Sequence, residues 1–91
     1  MAKLNSATSG TFESSDIFIK LEPNGNNTVN INLESIVQKQ FGAAINKLIF
    51  DTLEKYNIMG IDLTVIDKGA LDCTISARLQ TVLRRAGVEI E

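Results

Sequence analysis

Residues 37–56, VQKQFGAAINKLIFDTLEKY, decide the fold. Val37, Phe41, Ala44, Ile45, Leu48, Ile49, Leu53 and Tyr56 recur at three- and four-residue spacings through about six turns, which predicts a long helix with one apolar stripe. Ser35 and Gln38 have capping-box spacing just ahead of it, and Asn57–Gly60 can end it. Gly42 inside the stripe costs about 1 kcal/mol relative to Ala. Upstream the period changes to two: Ile17, Ile19 and Leu21 alternate with Phe18, Lys20 and Glu22, and Val29, Ile31 and Leu33 alternate with Asn30 and Asn32. Between these strands Pro23-Asn24-Gly25-Asn26-Asn27 makes a turn, so the two are expected to pair as a hairpin. Downstream Ile61, Leu63 and Val65, then Leu71, Cys73 and Ile75, repeat the pattern about an Asp67–Ala70 turn and predict a second hairpin. Leu79, Val82, Leu83 and Ala86 close the chain with a short helix, Ser76 its N-cap and Gly87 past its end. The order β-β-α-β-β-α predicts an α+β domain of two layers, an antiparallel sheet with the long helix packed on it.

Ninety-one residues suit one domain. Residues 1–15 read as a flexible N-terminal arm, because Asn5–Ser15 is rich in Ser, Thr, Gly and Asn and Phe12 is its only large apolar side chain. Residues 16–91 form the folded unit. A net charge of −2 argues against counterion-driven nucleic-acid binding. With no His and one Cys, neither a disulfide framework, a Cys/His zinc site nor a His-based triad can be built, and a self-sufficient enzyme is not expected. No apolar run is long enough to span a bilayer and no secretory leader is visible, so a soluble, cytoplasmic protein is expected.

The chemistry-bearing candidates are few. Gly10-Thr11-Phe12-Glu13-Ser14-Ser15-Asp16 places hydroxyls between acids just before the first strand. Arg78, Arg84 and Arg85 form a basic cluster on the last helix, suited to phosphate or carboxylate. Cys73 alternates with Leu71 and Ile75 and reads as a buried small hydrophobe. Leu33-Glu34-Ser35-Ile36 is similar to the phosphopantetheine site of ordinary acyl and peptidyl carriers. Those are four-helix bundles, whereas this helix has alternating segments on both sides, so Ser35 reads as a cap.

Taken in order, Gly10–Asp16, Gln40-Phe41-Gly42, Asp67-Lys68-Gly69-Ala70-Leu71-Asp72-Cys73 and Ala77-Arg78-Leu79 resemble the acyl carrier protein of citrate lyase, its gamma chain, from about Gly10 to Ala86. The related carrier of malonate decarboxylase, which uses the same type of group, is the alternative, and a non-covalent interaction domain a more distant one. Ser76 departs from the basic residue that the family pattern suggests there. The resemblance implies that Ser14, with Ser15 its near competitor, carries 2'-(5''-phosphoribosyl)-3'-dephospho-coenzyme A through a phosphodiester, added by a dedicated transferase. It further implies a non-catalytic subunit whose group holds acetyl and citryl thioesters for the alpha and beta chains of citrate lyase.

Overall fold

A computed structural model describes residues 4–90. Its elements are β1 (Ala7–Gly10), β2 (Ile17–Pro23), β3 (Val29–Ser35), α1 (Gln38–Lys55), β4 (Ile61–Asp67) and α2 (Asp72–Arg85). The α+β class and the two layers are as expected, with both helices on one face of a four-stranded sheet of order β1-β2-β4-β3.

The pairing differs from the expected hairpins. β4 lies between β2 and β3, antiparallel to the first and parallel to the second, so the sheet is mixed. The Asn24–Thr28 connection turns the chain as anticipated, but it spans two inter-strand spacings, about 10 Å, and leaves a slot. β4 enters that slot: Gly60 and Ile61 donate their N–H groups to the Thr28 carbonyl at 3.0 and 3.2 Å. Composition explains the placement. Ile61, Leu63 and Val65 are fully buried in the central strand, while β3, with Asn30, Asn32 and Glu34, keeps Val29, Ile31 and Leu33 only half-buried at the edge. The helix α1 carries the chain back across the sheet, which is what permits β3 and β4 to run parallel.

The second expected hairpin is also corrected, because Leu71–Ile75 is the start of α2. Ile75 donates its N–H to the Leu71 carbonyl at 3.0 Å. Ile75, Leu79, Val82, Leu83 and Ala86 are buried at helical spacing, a stronger pattern than an alternation of three residues. Ser76 therefore sits inside the helix and caps nothing, and Cys73 is exposed rather than buried.

The stretch expected as an arm supplies a strand. β1 pairs antiparallel with β2, Ala7 opposite Leu21 and Gly10 opposite Phe18. The Asn5 N–H reaches the Ala86 carbonyl at 2.9 Å, and buried Ser9 donates its hydroxyl to the Arg78 carbonyl at 2.6 Å. Met1–Lys3, the beginning of that arm, and Glu91, the last residue of the expected folded unit, lie outside the described residues.

Ile17, Ile19 and Leu21 join β4 and the helix side chains Ile45, Ile49, Leu53, Ile75, Leu79, Val82 and Leu83 in one core. Each such burial stabilises by about 1.5–3 kcal/mol, an upper range because the unfolded chain is already partly collapsed. The buried stripe of α1 runs through Gly42, Ile45, Ile49 and Leu53, so Phe41 and Ala44, expected on it, are exposed. Both helices stop on a left-handed residue. Asn57, at φ 55°, lets Ile58 donate to the Leu53 carbonyl at 2.9 Å, and Gly87, at φ 107°, lets Val88 donate to that of Leu83 at 2.9 Å, the Schellman geometry.

Candidate attachment site

Between β1 and β2 the chain makes a tight turn over Thr11–Asp16. The turn holds its own shape through Thr11, whose Oγ1 accepts the Glu13 N–H at 3.2 Å and donates to Asp16 Oδ2 at 2.7 Å. The Asp16 N–H donates to the Glu13 carbonyl at 3.2 Å. Neighbouring chain anchors it as well: the Ser15 N–H donates to the Lys68 carbonyl at 2.8 Å, and the Lys68 N–H donates to the Asp16 carbonyl at 2.9 Å. Glu13, Ser14 and Ser15 are all exposed at its apex. Ser15 adopts φ 64°, a region that costs a side chain about 1–2 kcal/mol, so the anchoring bonds keep the turn there.

Asp16 is the hub. Its Oδ1 accepts the Ile17 N–H at 2.7 Å and Arg78 Nε at 3.0 Å, and its Oδ2 accepts Arg78 Nη2 at 2.8 Å together with the Thr11 hydroxyl. This is a forked, two-point ion pair between residues 62 positions apart. The Arg78 guanidinium, then the Thr11 hydroxyl and the Ile17 amide, hold the Asp16 carboxyl far below its ordinary value of 3.8, against an opposing effect of burial. The same bond raises Arg78 further above its ordinary value.

The three arginines do not act as one cluster. Arg78 is committed to Asp16, and Arg85 donates Nη1 to the Thr8 carbonyl of β1 at 2.8 Å. Arg84 is exposed and borders a surface hollow with Lys55, Tyr56 and Glu89. Of the other candidates, Ser35 is engaged: its Oγ accepts the Val37 N–H at 3.1 Å and donates to Asp67 Oδ2 at 2.7 Å. Gln38 does reach back toward the Ser35 N–H, at 3.4 Å, so half of the expected capping box forms. Among the described residues no group of three or more His, Cys, Asp or Glu could hold a metal ion, and no helix is long and apolar enough to cross a membrane.

The pairing of Asp16 with Arg78 escapes a reading of the sequence: the two stand in Gly10–Asp16 and Ala77-Arg78-Leu79, 62 positions apart, and nothing in the sequence selects Arg78 over Arg84 or Arg85.

Fold and site define a small α+β domain that presents an exposed serine turn at one end of its sheet. A family model described as ACP, malonate decarboxylase delta subunit, matches residues 4–86, and the chain belongs to that acyl carrier family. A chain of a Pseudomonas malonate decarboxylase hetero-tetramer, solved with malonate, superposes with a TM-score of 0.83 at 18% identity, covering 94% of this chain and 90% of that one. The ribonuclease P protein of Thermotoga maritima is similar in fold, with a TM-score of 0.55 at 14% identity, over 92% of this chain and 84% of that one.

Proposed function

We propose that this chain is the carrier subunit of a multi-subunit enzyme, holding the phosphoribosyl-dephospho-coenzyme A group on the Ser14 hydroxyl. The observation that carries the reading is the position of Ser14, at the exposed apex of a turn bonded to β2, to the Lys68 carbonyl and to α2. An exposed hydroxyl on a fixed turn fits an alkyl phosphodiester, since it is open to a modifying enzyme and has no packing role to lose. When bound, the group supplies a terminal thiol that holds acyl groups as thioesters, and the tether raises their effective concentration at each catalytic site. The chain's own contribution is to hold and display the attachment residue. The chemistry of acyl transfer belongs to the partner subunits, which agrees with a chain devoid of His.

Two assemblies fit. The family description and the malonate-bound hetero-tetramer support a malonate decarboxylase carrier. A citrate lyase carrier, working with alpha and beta chains, is supported by Gln40-Phe41-Gly42 and Asp67–Cys73. Of these, Asp67–Cys73 starts at the end of the sheet that holds Ser14, where the Lys68 carbonyl accepts the Ser15 N–H at 2.8 Å.

Intact mass after incubation with the transferase and its precursor tests the carrier reading. Wild-type and Ser15→Ala chains should gain one adduct and Ser14→Ala none, with the fold unchanged. An adduct on Ser14→Ala would move the site, and no adduct on the wild type would leave a non-covalent interaction domain. Mixing the loaded carrier with malonate decarboxylase or citrate lyase catalytic subunits then separates the assemblies, by release of carbon dioxide or of oxaloacetate.

A further inference from the structure

Arg78 does more than pair with a surface acid. Its guanidinium grips Asp16 through Nε and Nη2, while its carbonyl accepts the buried Ser9 hydroxyl at 2.6 Å, so one residue of α2 ties together β1 and the start of β2. Those two points flank the serine turn. The Asp16 side chain is only 13% exposed, and it links this anchor directly to Thr11, the residue that shapes the turn from within. Ser15 sits in a backbone region that L side chains disfavour, and a short exposed segment stays there only while its surroundings hold it.

We propose that Arg78 is a positioning residue for modification of Ser14: acting through Asp16, it keeps the Thr11–Asp16 turn in the one shape that presents the Ser14 hydroxyl to the transferase. This rests on the carrier reading above. In the step it serves, the Ser14 Oγ–P bond forms as the bond from that phosphorus to the phosphate leaving group of a phosphoanhydride precursor breaks, and the serine proton passes to a base of the transferase. Arg78 takes no part in that exchange. Its effect is on the fraction of chains whose turn is ready to be bound, and apparent affinity falls in proportion to that fraction. Loss of the fork should therefore raise KM for the carrier and spare kcat.

The experiment measures transferase kinetics by mass and amide hydrogen exchange on Arg78→Gln, Arg78→Lys, Asp16→Asn and the Asp16→Asn/Arg78→Gln double variant. We expect Arg78→Gln to raise KM about tenfold, with kcat within about twofold of wild type. Exchange should quicken at the Ser15 and Lys68 amides and stay unchanged at Leu63 and Val65. Arg78→Lys, which keeps the charge but not the fork, should fall between Arg78→Gln and wild type. Asp16→Asn should match Arg78→Gln, and the double variant should be no worse than either single, the mark of one shared interaction. Wild-type KM in Arg78→Gln, a double variant showing the product of the two single effects, or faster exchange spreading into β4 would each overturn the proposal. Absence of an adduct on the wild-type chain overturns the carrier reading and this proposal together, whereas a normal adduct with unaltered Arg78→Gln kinetics overturns this proposal alone.

Discussion

Arg78 donates Nε and Nη2 to the two carboxylate oxygens of Asp16, at 3.0 and 2.8 Å, and so fixes the last helix to the turn that precedes β2. The pair has a pH signature. Asp16 is depressed below its ordinary 3.8, first by the Arg78 bond and then by Thr11. A carboxyl depressed in the folded state binds fewer protons there than in the unfolded chain, so its stabilisation is present above the unfolded value and fades as pH falls toward the folded one. Asp62 is depressed in the same sense by the side-chain amides of Asn30 and Asn24. Urea unfolding of wild type and Asp16→Asn should therefore give a stability difference that is constant near neutrality and shrinks from about pH 5 downward. A difference that stays level to pH 2.5 would mean that the fork does not stabilise the fold.

Gly10 ends β1 at φ 86°, and a Cβ placed there would come 1.8 Å from the Ile17 carbonyl oxygen. The obstacle is backbone, so no side chain can swing away to make room. Gly10→Ala should destabilise by about 2 kcal/mol or more, through strain and through displacement of β2. Gly25, at φ 74° with nothing within 4 Å, provides the comparison. Gly25→Ala carries only the conformational penalty, about 1 kcal/mol. Equal melting temperatures for the two variants would contradict the close approach.

The exposure of Cys73 on the first turn of α2 separates the helix from the strand that alternation suggested. A disulfide reagent should react with native protein at a rate within about tenfold of that for urea-unfolded chain, since no opening of the fold is needed. Protection of several hundredfold in the native protein would return Cys73 to the core.

Long periodic segments were readable from sequence because burial enforces them. Ile45, Ile49 and Leu53, like Leu79, Val82 and Leu83, are apolar for the reason that makes α1 and α2 helices with one buried side. Short or weak patterns were not. Ala7 and Ser9 face α2 with side chains too small to register as a strand, and β1 is held by pairing to β2 instead. Strand neighbours escaped because the turn at Asn24–Thr28 looks the same whether it joins adjacent strands or leaves room for one between them. Leu71, Cys73 and Ile75 alternate by chance of composition, and only the run onward to Ala86 shows a helix. At the site, the run Glu13-Ser14-Ser15-Asp16 was visible in itself. Its fastening was not, since choosing one arginine for Asp16 requires knowing that α2 crosses β1 beside it.

Ser35 and Asp67 stand opposite one another in the parallel register, at the C-terminal ends of β3 and β4. Asp67 is 1% exposed; its Oδ2 accepts the Ser35 hydroxyl at 2.7 Å and its Oδ1 accepts the Ala70 N–H at 2.9 Å. Ser35→Ala removes one donor to a buried carboxylate oxygen and one acceptor from the Val37 N–H, leaving the first without a replacement in the core. The loss should be about 1–3 kcal/mol, read from urea unfolding at neutral pH. Asp67→Ala should cost more, since it also strips the Ala70 bond that turns the chain from β4 into α2. Ser35→Ala should nevertheless gain the Ser14 adduct as completely as wild type when assayed below its melting temperature, because its hydroxyl serves the fold. Full stability together with loss of the adduct would invert that assignment and make Ser35 the carrier residue.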